Sequence, residues 1–227
     1  MKTRRWKKVI VSTFICGIII FTAVFFATHQ YIKNNAIRHA VYDAIIERIS
    51  SVRNMTLADK LYLKGEKISP FFSKRKLQKI TLIEVDLIYD RNYKSDAVVN
   101  LSEIGKLKSL KAINIRDSIK SEQFEQAKYH TDYYEEVIED MPAVEGLDQL
   151  PFEDGSISFS FSGVRISNNT DLSCAGQLRI DNCDLSNYQW LSTCKNLTTK
   201  IKGFSPNIYL FEDGNREINN IDAKVSN

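Results

Sequence analysis

Four segments beyond residue 76 alternate apolar and polar positions, one after another along the chain. The first is Leu77-Gln78-Lys79-Ile80-Thr81-Leu82-Ile83-Glu84-Val85-Asp86-Leu87 and the second is Leu110-Lys111-Ala112-Ile113-Asn114-Ile115-Arg116-Asp117-Ser118. The third is Phe159-Ser160-Phe161-Ser162-Gly163-Val164-Arg165-Ile166 and the fourth is Leu178-Arg179-Ile180-Asp181-Asn182-Cys183-Asp184-Leu185. A period of two places alternate side chains on opposite faces of a strand. Each segment has two apolar residues separated by one, then apolar or small residues three and five positions later. Ile80, Ile113, Phe159 and Leu178 open the template in the four cases.

In this form the segments resemble the leucine-rich repeat, written L-x-x-L-x-L-x-x-N/C-x-L. Cys183 stands at the Asn/Cys position of the fourth, while Val85, Ser118 and Val164 stand there in the others. Leu101, Ile104, Leu107 and Leu110 recur at every third residue, as a helical or 3₁₀ back side would, and Leu191, Cys194 and Leu197 repeat the pattern. The resemblance implies stacked strands in a short parallel sheet, with apolar back segments closing the core. It also implies protein recognition by the strand face. Cys183 and Cys194 then serve as small core fillers.

The N-terminus has a different pattern. Val9 to Ile32 carries no formal charge, and Lys2, Arg4, Arg5, Lys7 and Lys8 precede it. The apolar stretch Val9–Thr28 would rise about 30 Å as a helix, the thickness of a bilayer's hydrocarbon. Flanking cations favour the cytoplasmic side. Phe25 stands where a cleavable signal peptide wants a small residue, which favours an uncleaved signal anchor.

The expected fold class is therefore α/β: an N-terminal transmembrane helix, a juxtamembrane helix, then a short irregular leucine-rich-repeat-like solenoid with a parallel sheet. The divisions are a cytoplasmic basic tail at 1–8, a transmembrane helix at 9–30 and a juxtamembrane helix at 31–65. An exported repeat-like domain follows at 66–227, with an acidic insertion at 122–154. Ile37, Val41, Ile45, Ile49 and Val52 lie on one face of the second helix, with Asn34 or Asn35 as its cap. That stripe packs on the following domain or, alternatively, forms a homodimer. The expected location is the plasma or inner membrane, single-pass, with the C-terminal domain extracytoplasmic.

Composition narrows the function. The net charge of +3 is more than accounted for by the five N-terminal cations, so the remainder does not look like a nucleic-acid binder. Residues 122–154 hold eleven carboxylates against Lys128, a net of −10, interleaved with Phe124, Tyr129, Tyr133 and Tyr134. Such a stretch is either a solvated face or a loop that meets a basic partner. Cys174, Cys183 and Cys194 are spaced by nine and eleven residues, unlike a zinc knuckle, and no cofactor or metal is called for. Of His29, His39 and His130, only the last lies in the repeat-like part, and no catalytic motif surrounds it.

The chain thus reads as a membrane-anchored extracytoplasmic protein-binding module rather than an enzyme. The alternatives are a structural or assembly component of a membrane complex, or an envelope-associated hydrolase. The expected partners are a protein and, through Val9 to Thr28, the lipid bilayer. Candidate contacts are Thr81, Asn114, Arg116, Arg179 and Asp181 on the strands, and Glu135, Glu136, Glu139 and Asp140 in the acidic insertion.

Overall fold

A computed structural model describes residues 2–47, 69–89, 98–127, 140–167, 170–181, 183, 193–194, 210–212 and 215–217. Side chains are described from Thr13 onward, apart from 125, 127 and the last two ranges. The elements are helix α1 (Lys2–Thr28), β1 (His29–Tyr31), α2 (Asn35–Glu47), β2 (Phe71–Ser73) and α3 (Lys74–Leu77). Then come β3 (Leu82–Asp86), β4 (Val98–Asn100), β5 (Ala112–Arg116), α4 (Ser118–Ala127) and β6 (Ala143–Glu145). The series closes with β7 (Ile157–Ser162), β8 (Arg165–Ile166), β9 (Ala175–Asp181) and an antiparallel pair, β10 (Leu210–Glu212) with β11 (Asn215–Glu217).

From β3 to β9 the strands alternate between two sheets. One sheet runs β3-β5-β7-β9 and the other β4-β6-β8, and every pairing within them is parallel. The chain therefore winds as a coil, crossing from one sheet to the other and back. Parallel neighbours need such a crossover. The four alternating segments supply the four strands of the larger sheet. Ile83, Val85, Ile113, Ile115, Phe159, Phe161 and Ile180 point into one core shared with Val99, Val144 and Ile166 of the smaller sheet.

The first segment has a different frame from the one its sequence suggests. Ile83 pairs with Ile113 and Val85 with Ile115, so Ile83 rather than Ile80 opens the unit. Leu82 is left 44% exposed on the opposite face. Ile80 is buried as well, just before the strand, which is why both frames look apolar in sequence.

The three-residue spacing of Leu101, Ile104, Leu107 and Leu110 folds as a 3₁₀ ladder. The amides of Ile104, Leu107 and Leu110 each donate to the carbonyl three residues back, and all four side chains are buried. Helix α2 packs against β3 with Ile37, Val41 and Ile45 inward, whereas Ile49 and Val52 lie outside the described residues. Asn34 is its cap: the side-chain oxygen accepts from the Ile37 amide at 3.0 Å.

Glu103 ties that cap to the coil. Its carboxylate accepts from the Lys33 and Asn34 amides at 2.8 and 2.7 Å and pairs with Lys106, whose ammonium also donates to the Tyr31 carbonyl. Burial pushes the Glu103 pKa up, but the Lys106 ammonium and the two amides outweigh it and hold the carboxyl below its ordinary value of 4.5. A lowered folded pKa stabilises above the unfolded value and loses that contribution as pH falls through the folded one. Glu103→Gln is expected to cost roughly 1–2 kcal/mol at neutral pH in urea titrations. The gap should begin to narrow near pH 4.5 and close at more acidic values. A gap that stays constant down the pH series would show that the charge is not what matters.

The N-terminal helix corrects one expectation. Among the described residues no helix is long and apolar enough to cross a membrane. The transmembrane helix at 9–30 is therefore not supported, and with it go the signal-anchor, single-pass and juxtamembrane descriptions. Thr13, Thr22 and Thr28 place hydroxyls along α1, which lower its apolar character. The C-terminal end of α1 is docked on the domain. Phe71 of β2 meets the rings of Phe25 and Tyr31 at 5.3 and 5.2 Å, and Lys74 donates to the Ala27 carbonyl at 2.9 Å. A cation on the last carbonyls of a helix is favourably placed against its dipole.

Candidate functional site

The outward face of the larger sheet is polar, and the strand register arranges it in rows. Leu82, Ala112, Ser158 and Gln177 form the first row. Glu84, Asn114, Ser160 and Arg179 form the second, and Asp86, Arg116, Ser162 and Asp181 the third. The same alternation that sends Ile, Val and Phe into the core leaves these side chains out. At the C-terminal ends of the strands the second and third rows meet the start of α4. All residues of these two rows but Asp86, with Ile115, Ser118, Ser121 and Glu122, line a cavity of about 460 Å³.

Asp86 organises one corner. Its carboxylate is only 7% exposed and accepts from Arg116 Nε at 3.1 Å. The amides of Ser118 and Ile88 also donate to it, at 3.3 and 3.4 Å. Arg116 is thereby held along the sheet with half its surface exposed. Across the cavity Arg179 Nε donates to Asp181 within the same strand. Between them Ser162 bonds Ser121 at 2.7 Å, and in the first row, outside the cavity, Ser158 donates to Gln177 at 2.7 Å. Asn114 donates to Glu84 at 3.4 Å.

The start of α4 is locally specified. Asp117 caps it, accepting from the Lys120 amide at 2.8 Å through its side chain and from the Ser121 amide through its carbonyl. Phe124 is fully buried and keys the helix to the domain. These bonds fix Ser118, Ser121 and Glu122 as the cavity wall.

Of the residues singled out from the sequence, Asn114, Arg116, Arg179 and Asp181 line this cavity. Thr81 does not. Its carbonyl accepts from the Lys111 and Ala112 amides at 2.8 and 3.1 Å, where it starts the β3–β5 ladder. Glu84, three residues on, holds the surface position beside Asn114. The three-residue frame shift in the first segment accounts for the substitution. Asp140 pairs with Lys120 at 3.4 Å and so ties α4 to the approach of β6, outside the cavity. Glu135, Glu136 and Glu139 lie outside the described residues.

Ser160 and Ser162 were legible as polar positions of the third segment. Ser121 gave no signal, and neither Ser118 at the Asn/Cys position nor Glu122 in the acidic stretch pointed to this cavity, because a helix start reaches the strand ends only through the tertiary fold. Among the described residues no group of three or more His, Cys, Asp or Glu is placed to hold a metal ion. Cys174, Cys183 and Cys194 are buried. Burial, aided by nearby Asp171, pushes the Cys174 and Cys194 thiols up to about 11, so neither is a ready nucleophile at neutral pH. No protein family, curated protein or solved structure matches the chain.

Proposed function

We propose that this chain is a protein-binding module that presents the polar face of its four-stranded parallel sheet to a partner. The observation that carries this reading is the register. It brings residues from four separated segments and from α4 into one cavity that carries two ion-paired arginines and four serines. Strands hold side chains more rigidly than loops do, and a pre-organised polar surface loses less entropy on binding.

Ser160 stands near the middle of this surface, on β7 and in the second row. Ser160→Trp would fill the floor without touching the core face. Peptides selected on the wild-type chain from a displayed random library are expected to lose affinity by about tenfold or more on this variant. Selected peptides that bind both chains equally would place recognition elsewhere.

A further inference from the structure

We infer that the occupant of this face is a basic, extended polypeptide segment, anchored by Glu84 and Glu122. This rests on the reading of the face as a protein-binding surface and adds the chemistry of the partner.

Charge pairing within the cavity supports it. Arg116 is matched by Asp86, and Arg179 by Asp181. Each arginine therefore stands beside a carboxylate of its own, and the two contribute little net positive charge. Glu84 and Glu122 have no such match among the described residues: Glu84 meets only the neutral Asn114 amide, and Glu122 stands exposed on α4. The uncompensated charge in the cavity is thus negative. Potential of one sign focused at a concave surface attracts the opposite sign.

Shape and lining point the same way. Ile115 is the one apolar residue among those lining the cavity. An interface built around an aromatic or aliphatic anchor has no pocket here. Four strands spaced by about 4.8 Å present roughly 14 Å of face, which about four residues of extended chain cover. Lysine or arginine side chains would reach Glu84 and Glu122. The Arg116 guanidinium, with the hydroxyls of Ser118 and Ser160, would meet the segment's carbonyls.

The test uses the full chain and two fluorescein-labelled peptides of equal length, one of alternating Lys and Ser and one of alternating Glu and Ser. Fluorescence anisotropy is read at about 50 mM and about 150 mM salt, where surface electrostatics differ in screening. The Lys-Ser peptide is expected to bind, more weakly at the higher salt. Glu84→Gln with Glu122→Gln should weaken it about tenfold. The charge-matched pair Glu47→Gln with Asp171→Asn, away from the face, should leave it within about twofold.

Preference for the Glu-Ser peptide, binding of neither, or an unchanged affinity in the Glu84/Glu122 variant would overturn the inference. Ser160→Trp separates the two levels. If it abolishes binding while the Glu84/Glu122 variant does not, the face is the binding surface and the basic segment is wrong. If it changes nothing, both fall.

Discussion

Phe161→Ala is expected to lower the unfolding free energy by about 3–5 kcal/mol, the largest single loss in the coil. Phe161 is fully buried on β7, a central strand of the larger sheet. By register it lies between Ile115 of β5 and Ile180 of β9, and its ring runs parallel to that of Phe159 at 5.7 Å. Truncation would empty a ring's volume at a position flanked by strands on both sides, where collapse is restricted. Phe161→Leu keeps most of the volume and is expected to cost well under half as much. Urea unfolding of the two variants against wild type measures both. A loss below about 1 kcal/mol for the alanine variant would mean that the sheet does not pack around this ring.

Gly163→Ala is expected to be nearly as damaging, at roughly 2–4 kcal/mol, and for a different reason. Two residues, Gly163 and Val164, join β7 to β8, and Gly163 takes φ +68° to make that corner. A side chain there meets two obstacles. The left-handed conformation is strained for L residues. A Cβ would also lie 2.5 Å from both the Asp117 carbonyl oxygen and the Ser121 amide nitrogen. Both are backbone atoms in the first turn of α4 and cannot rotate away.

Gly163→Asn separates the two effects, because asparagine tolerates the left-handed region but still carries a Cβ. Equal destabilisation by Ala and Asn would show that the close approach dominates, which is the expected result. Recovery by Asn would assign the cost to φ instead. Since Ser121 lines the cavity, either substitution should also weaken peptide binding beyond its effect on stability. Chemical denaturation and peptide titration on the same samples would show whether the two losses travel together.

Much of the local structure was legible before any coordinates. Ile113 and Ile115, Phe159 and Phe161, and Leu178 and Ile180 announce strands because alternation is a property of neighbouring residues alone. The same holds for the three-residue spacing from Leu101 to Leu110 and for the Ile37, Val41, Ile45 stripe. Four residues that line the cavity, Asn114, Arg116, Arg179 and Asp181, followed as outward positions from the polar half of the alternation. Thr81 was misplaced because Ile80 and Ile83 both satisfy an apolar frame, and nothing within a single segment distinguishes them. The membrane-crossing reading of α1 was not upheld either: among the described residues no helix is long and apolar enough to cross a membrane.

By itself, then, the sequence determined which short segments are strands, which spacing makes the 3₁₀ turn and which side chains within a strand share a face. Those properties depend on separations of two to four residues, and backbone geometry fixes them locally. The tertiary structure decided everything that depends on neighbours in space. It set the register that pairs Ile83 with Ile113, placed Glu84 beside Asn114, and folded the start of α4 over the strand ends so that Glu122 enters the cavity. Pairing between strands is chosen by packing across the sheet, where side chains 30 or more residues apart compete for one core, and no local pattern records the outcome.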